Sequence, residues 1–294
     1  MIVVGHLTID EIEVPGRGVR VAMGGAACYA SLGARLTGID VKILSKIGGD
    51  FPGNYLELLR KAGINLDQVE KVNNSKTTRF RLTYIDEERT LRILARAPEI
   101  KLKDLGSRPA YLGPVAWEIS LEDVKTVAEK GGVVALDPQG VLRQADVDGV
   151  IRLKRIDPML LRGVNVLRLA SKEAEILTGL SNPLKAAGKL LEVGVETVLL
   201  SMGSKGVLAA SSAGFFRVPA YPVEAVDPTG AGDVLGGCFF AEYLRSGELE
   251  WSASLASAAA SLAVEAPGPE HLVSVSGREL RRRAETLLEQ VERL

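Results

Sequence analysis

The sequence predicts an α/β fold: a central, mostly parallel sheet with helices on both faces, plus a small β-sheet lid. Three observations predict it. Short, largely apolar runs at residues 2–4, 41–44, 133–136, 164–169 and 197–200 read as strands buried on both faces. Between them lie segments with helix start and stop signals. Two further stretches, residues 11–22 and 77–97, alternate apolar and polar residues with period two, which is the pattern of half-exposed hairpins.

The bulk figures agree. The chain has 294 residues, a net charge of −1 and 46 % hydrophobic content, as an ordinary water-soluble globule does. We expect a single α/β domain over residues 1–294, with the hairpins at 11–22 and 77–97 inserted in it. Near-zero net charge speaks against nucleic acid or an anionic membrane surface as partner. No apolar run reaches membrane-spanning length. The first residues read as a buried strand with no signal-peptide layout, so the expected location is the cytoplasm. The two cysteines, Cys28 and Cys238, stand in small apolar contexts and read as buried packing residues.

Taken in order, residues 2–4 form the first central strand. Ligands of open α/β sheets gather beyond strand carboxyl ends, so Asp10 is placed to accept hydrogen bonds from substrate hydroxyls. The bland alternative is a turn residue. His6 reads as a packed structural histidine. Pro15-Gly-Arg-Gly18 turns the first hairpin between Ile12, Val14 and Val19, Val21. Gly24-Gly25 opens a small-residue helix that stops near Gly38, and the pair lets the chain pass close to a substrate or a neighbouring helix. Pro52 in a first turn and Gly63 as a stop predict a helix over residues 52–62.

In the second hairpin Phe80, Leu82 and Tyr84 share one face, and Arg79, Arg81 and Thr83 the other. Asp86-Glu-Glu-Arg89 makes its turn. Leu91 and Ile93 continue the apolar face, with Arg92 and Arg96 opposite. The two hairpins should pair into one sheet over the site. A lid suits a reaction in which water would otherwise capture the transferred group. The same sheet could also join two copies into a homodimer.

Ser120 caps a helix reaching about residue 130. Ser171-Lys-Glu-Ala-Glu175 starts another, ended by Thr178-Gly179. Ser201-Met-Gly-Ser-Lys-Gly206 is a tight turn after the strand at 197–200. Residues 256–264 form a small-residue helix, which leaves room for a flat base and is explained equally well by core packing. Ser276-Gly-Arg-Glu279 reads as a capping box, with Leu280, Leu287, Leu288, Val291 and Leu294 on one stripe and Arg281-Arg-Arg283 on a solvated face.

The chemistry centres on Asp227-Pro-Thr-Gly-Ala-Gly-Asp233, between an extended segment at 215–226 and an apolar helical run at 234–244. Two glycines two apart let the backbone turn tightly and bring its N–H groups to a ligand. The helix that follows adds the positive end of its dipole, so Gly230, Ala231 and Gly232 read as an anion hole. Asp233 would repel a bound phosphate, and it makes sense as a base that takes a hydroxyl proton. Gly230, Gly232 and Gly236 also mimic a dinucleotide fingerprint. That fingerprint needs an acidic residue after a second strand, whereas residues 250–264 are Ala/Ser-rich and helical.

D-P-T-G-A-G-D followed by V-L-G-G resembles the C-terminal signature of the ribokinase-like, or phosphofructokinase-B, carbohydrate kinases. The resemblance implies an ATP-dependent kinase of a small sugar or polyol, with Mg²⁺ on the nucleotide phosphates. Substrate contacts would come from Asp10, Gly24, Gly25, Tyr29, Lys46, Gln139 and Arg143. Lys46-Ile-Gly-Gly-Asp50 resembles the family's G-K-x-G-x-D segment, with Ser45 in the leading glycine's place. The asparagine that usually follows Gly-Gly is missing, and Cys28-Tyr29 stands there. Nucleotide contacts would come from Ser201, Gly203, Lys205, Gly206, Asp227, Thr229 and Gly232. Glu173 matches the metal-holding glutamate of the family's N-x-x-E, with Ala170 in the asparagine's place. Asp227 would also arrange a K⁺ site, as in some relatives. Thr77-Thr78-x-Phe80, Arg89-x-Leu91, Ala97-Pro-x-Ile100 and Asp137-Pro-Gln-Gly-x-x-Arg143 narrow the resemblance to the myo-inositol kinase branch. Rival readings are a ribose or nucleoside kinase of the same family, and a sensor that binds sugar or nucleotide without turnover.

Overall fold

The computed structural model describes residues 1–14, 18–85, 88–102, 105 and 108–294. The expected turn residues 15–17 and 86–87 lie outside it. β1 (Ile2–Val4) opens the main sheet. The chain then enters the lid with β2 (Thr8–Val14) and β3 (Gly18–Gly24), an antiparallel pair. Helix α1 (Ala26–Leu36) returns it to β4 (Lys42–Gly48), α2 (Gly53–Lys61) and β5 (Asn65–Val72). Pro52 caps α2 rather than sitting in its first turn, and Gly63 stops it with φ 77°. The second lid hairpin is β6 (Arg79–Ile85) and β7 (Glu88–Ala95). There follow β8 (Ala110–Leu112), α3 (Leu121–Glu129), β9 (Val134–Leu136), α4 (Gln139–Leu142), β10 (Arg143–Ala145) and β11 (Ile151–Leu153). The C-terminal half runs β12 (Val166–Ala170), α5 (Ser171–Thr178), α6 (Pro183–Val193), β13 (Thr197–Ser201), β14 (Val207–Ser211) and β15 (Gly214–Val218). It ends with α7 (Ala231–Ser246), α8 (Leu249–Ala263), α9 (Gly277–Leu288) and β16 (Glu292–Arg293).

Among the described residues the main sheet has ten strands, in the order β16-β15-β14-β13-β12-β9-β8-β1-β4-β5. Pairing is parallel from β5 to β13 and antiparallel from β13 to β16. Side chains alternate between two cores, as the pleat requires. Val3, Ile43, Tyr111 and Leu199 pack with α1, α7 and α8, while Ile2, Val4, Leu112 and Leu200 pack with α3, α5 and α6. Burial on both faces is why these strands read as largely apolar runs.

The lid is a second sheet, in the order β3-β2-β6-β7. The two hairpins pair through β2 and β6, as their alternation predicts, and that pairing is parallel. Ile12, Ala22, Phe80 and Leu82 are buried on one face against Val115 and Ala116, with Leu91 and Ile93 beside them. On the opposite face Glu11 pairs with Arg79 and Arg81, and Thr83 donates to Glu13. The apolar face does most of the holding, at about 1.5–3 kcal/mol for each large side chain fully buried. Exposed ion pairs add little in high dielectric.

Helices α1 and α7 touch backbone to backbone. A Cβ at Gly237 would fall 2.0 Å from the Ala30 carbonyl oxygen, and one at Gly33 2.3 Å from that of Val234. This close approach fixes where α7 begins. His6 is buried and structural, as expected: Nδ1 bonds Thr78 Oγ1 at 2.7 Å and Nε2 the Pro98 carbonyl at 3.0 Å, tying the end of β1 to the lid base. Both cysteines are buried. Two expectations for the C-terminus need correction. Helix α9 ends at Leu288, so Val291 and Leu294 leave the stripe, and Glu292–Arg293 add an edge strand instead. Arg283 is not solvated: it is 8 % exposed, and binds Glu265 and Glu279 over the ring of Tyr221. Among the described residues no helix is long and apolar enough to cross a membrane.

Candidate active site

The loop before α7 is pinned at its start, where the N–H groups of Val226 and Asp227 donate to the Val264 carbonyl at 2.7 and 3.1 Å. Asp227 Oδ1 accepts from Thr229 N at 2.9 Å, an Asx-type turn. Gly230 then takes φ 78°, a left-handed conformation, and a Cβ there would meet the ring of Tyr29 at 2.4 Å. The helix starts at Ala231, so the N–H groups of its first turn have no intrahelical acceptor. Asp233 sits in that turn.

Its carboxylate accepts from Gln139 Nε2 at 2.7 Å. Gln139 in turn accepts from Arg143 Nη2 at 2.8 Å, and Arg143 Nη1 donates to the Val115 carbonyl at 2.9 Å. Burial, with the nearby charge of Asp137, pushes the Asp233 carboxyl up to about 7, while Arg168, Arg143 and Gln139 pull it back. A carboxylate poised near neutrality is the tuning a general base needs.

Two clefts meet at this turn. The smaller, ≈ 90 Å³, is lined by Thr8, Asp10, Gly25, Tyr29, Gln139, Arg143, Thr229, Gly230 and Asp233, under the lid residues Phe80, Leu82 and Leu91. The larger, ≈ 500 Å³, is lined by Ser201, Gly203, Ser204 and Gly206 on one side and by Ser257, Ala260, Ser261 and Val264 on the other. Tyr221, Pro222 and Val223 add apolar wall, and Arg168, Ala231 and Gly232 complete it. The first turn of α7 therefore separates a polar-floored pocket from a long, largely apolar one. A hydroxyl beside Asp233 and an anion on the N–H groups of α7 would lie on opposite sides of one turn, the geometry of group transfer between them.

The structure thus brings together Asp10, Gly25, Tyr29, Gln139, Arg143, Gly230 and Asp233 in one cleft, and Ser201, Gly203, Gly206, Ala231 and Gly232 in the other. Asp10 lies within β2, not in a turn, opposite Ala22 and Phe80. Gly24 lines neither cleft; it makes space for Asp10, whose Oδ2 would be 2.0 Å from a Cβ there. Four of the expected site residues lie apart from the cleft expected for them. Lys46 turns to Glu70, at 3.2 Å, and lines neither cleft. Lys205 is absent from the lining of the large cleft, although its neighbours Ser204 and Gly206 line it. Thr229 lines the small cleft rather than the nucleotide side. Asp227 lines neither, and the cation it meets is the lid's Arg20, at 3.2 Å.

Glu173 accepts from the Ala170 N–H at 2.8 Å, closing a capping interaction at the start of α5. Burial and the Asp137 charge raise its pKa. Among the described residues no three His, Cys, Asp or Glu side chains cluster to hold a metal.

Sequence reasoning missed Arg168. It is buried at 7 % exposure in β12, donates to Asp137 Oδ2 at 2.7 Å and to Ser201 Oγ at 2.8 Å, and lies where a Cβ on Gly232 would be. The available signal was an arginine inside an otherwise apolar strand, which has to find a buried partner.

The chain matches the model of the pfkB family of carbohydrate kinases over residues 2–274. It is 30 % identical over 260 residues to the cytidine kinase of Thermococcus kodakarensis, covering 85 % of this chain and 90 % of that protein. It is 27 % identical over 278 residues to the deoxyribokinase of Salmonella typhimurium, covering 89 % and 87 %. A pyrophosphate-dependent kinase in the ribokinase family, solved with a pyrophosphate analogue and myo-inositol, has the same fold at TM-score 0.82 and 20 % identity, covering 96 % of this chain and 99 % of that one. The ribokinase of Arabidopsis thaliana, solved with ribose and ATP, follows at TM-score 0.78 and 22 % identity, covering 97 % and 98 %. The chain belongs to the pfkB family of carbohydrate kinases, and is a phosphotransferase acting on a hydroxyl of a sugar or nucleoside.

Proposed function

We propose that this protein transfers the terminal phosphoryl group of ATP to a hydroxyl of a small polyol, with myo-inositol as the acceptor. The observation that carries this reading is the disparity of the two clefts. The one holding Asp233 measures ≈ 90 Å³ under an apolar lid, against ≈ 500 Å³ for its neighbour. A nucleoside needs room for both a sugar and a base, whereas a compact polyol needs polar groups on one side and a lid on the other. Asp10, Gln139 and Arg143 offer those polar groups. The apolar walls of the larger cleft suit a nucleotide base.

In this reading the acceptor hydroxyl lies against Asp233, which takes its proton as the oxygen attacks the terminal phosphorus. Gln139 and Arg143 hold the carboxylate in place. The N–H groups of Gly232 and Asp233, with the dipole of α7, receive the charge of the transferring group. The lid excludes water. Mg²⁺, steadied by Glu173, supplies neutralisation of the donor phosphates when bound.

A second reading, a nucleoside kinase, draws on the likeness to the cytidine kinase. ADP release measured with myo-inositol, ribose and cytidine in parallel separates the two. We expect the highest kcat/KM with myo-inositol. A strong preference for cytidine would overturn the polyol assignment while leaving the reaction class intact.

A further inference from the structure

We infer that Arg168 is a catalytic residue, a fixed guanidinium that donates hydrogen bonds to the transferring phosphoryl group from beneath the first turn of α7. The inference deepens the kinase reading above and rests on it.

Arg168 sits at the middle of β12, opposite Leu199 of β13, in a strand otherwise buried and apolar. Dehydrating a guanidinium there costs several kcal/mol unless charge and hydrogen bonds offset it. Asp137 and Ser201 offset part of that cost, at 2.7 and 2.8 Å. A counter-ion for Asp137 alone would need no second reach. Arg168 instead spans from Asp137, which also accepts from the Gln139 N–H at 3.1 Å, to Ser201 at the head of the large cleft.

Its position against the anion-binding turn is the second argument. A Cβ on Gly232 would fall 2.0 Å from Nη2, so the guanidinium lies against the turn whose N–H groups would receive the phosphoryl group. The side chain lines the large cleft although only 9 % of it is exposed. Its Nε is buried and has no partner among the described residues. A buried donor left unmet is costly, so the guanidinium is held here at an expense that its bonds to Asp137 and Ser201 do not fully offset.

The local charge supports the same role. Asp137, Glu173 and Asp233 gather near Arg168 and act on it with their charge. An anionic donor entering such a site needs a fixed positive group close to the phosphorus. In the step itself the acceptor oxygen bonds to the terminal phosphorus, the bond from that phosphorus to the bridging oxygen breaks, and ADP leaves. The hydroxyl proton goes to Asp233. Arg168 stays charged throughout and gives no proton, as its very high pKa requires.

Three variants test this: Arg168→Lys, Arg168→Met, and Arg168→Met combined with Asp137→Asn, which removes the orphaned carboxylate. Lysine keeps the charge and the pairing with Asp137 but loses the fork. We expect Arg168→Lys to fold with an unchanged circular dichroism spectrum and to lose at least tenfold in kcat. The double variant should lose about 10²–10³-fold, the loss seen when one donor to a developing oxyanion is removed, and guanidinium ion should restore part of it. Full activity in Arg168→Lys, or in the double variant, would make Arg168 a mere counter-ion and overturn the inference. Titration with β,γ-imido-ATP and with adenosine reads the same contact without turnover. Arg168→Lys should weaken the first and spare the second, and equal effects on both, or none, overturn the inference. A wild-type protein that turns over no acceptor would count against the kinase reading alone, because the titration still reports on Arg168.

Discussion

Gln139 donates its side-chain amide to Asp233 at 2.7 Å and accepts from Arg143 with its own oxygen at 2.8 Å. The carboxylate is therefore oriented by a chain of hydrogen bonds that begins at the Val115 carbonyl. Gln139 also pulls the Asp233 pKa down. Gln139→Ala should cut kcat roughly tenfold, and should move the acid limb of the pH–rate profile upward, since the ionised base loses a donor. A limb that stays put would show that Gln139 does not act through Asp233.

The pKa of Asp233 makes an opposed pair of predictions. Turnover needs the carboxylate, so activity should rise with pH through about 7. Stability should run the other way. A folded-state pKa raised above the ordinary carboxylate value favours the folded protein below that ordinary value, and the advantage is lost as pH climbs towards 7. Asp233→Asn, neutral at every pH, should therefore have a higher Tm than wild type at pH 8 and little or no advantage at pH 4. A variant that is less stable at pH 8 contradicts the burial argument.

The lid latch is testable apart from the chemistry. Arg20 of β3 pairs with Asp227 at 3.2 Å, joining the lid to the loop before α7. The pair is partly exposed, so Arg20→Ala should leave the unfolding free energy within about 0.5 kcal/mol of wild type. A looser lid should admit water and raise ATP hydrolysis in the absence of acceptor. Hydrolysis equal to wild type would mean the pair does not hold the lid.

Two glycine substitutions should act in opposite directions. Gly237→Ala puts a Cβ 2.0 Å from the backbone oxygen of Ala30, where nothing flexible can yield. We expect a loss of about 1–3 kcal/mol by chemical denaturation, the usual cost of overpacking. Gly188 lies inside α6, and its new Cβ would meet only the Phe215 ring edge, at 3.9 Å. Gly188→Ala should gain roughly 0.5–1 kcal/mol from helix propensity. Equal effects at the two sites would refute the close contact between α1 and α7.

The sequence made the sheet legible because its strands are buried on both faces and read as apolar runs. The lid was legible for the opposite reason: Phe80 and Leu82 alternate with Arg79 and Arg81, and the two sets do separate onto opposite faces. Asp233 stood out because a carboxylate beside an anion hole needs a chemical reason. The long cations were illegible. Lys46, Lys205, Arg20 and Arg168 all have side chains that reach several ångströms, and where each ends depends on partners distant in sequence. Lys46 went to Glu70 and Arg20 to Asp227, and only coordinates could show that. The placement of Thr229 and Gly24 was hidden for a related reason: a motif names the loop, while the pleat and helix start decide which side of it each residue faces.

The assignment of Asp233 as base is tested most directly by steady-state turnover of Asp233→Asn with ATP and myo-inositol, alongside titration of the same variant with β,γ-imido-ATP. We predict kcat lower by about 10²–10⁴-fold, the range for a positioned base, with nucleotide binding retained. An Asp233→Asn protein that phosphorylates the acceptor at the wild-type rate would contradict it.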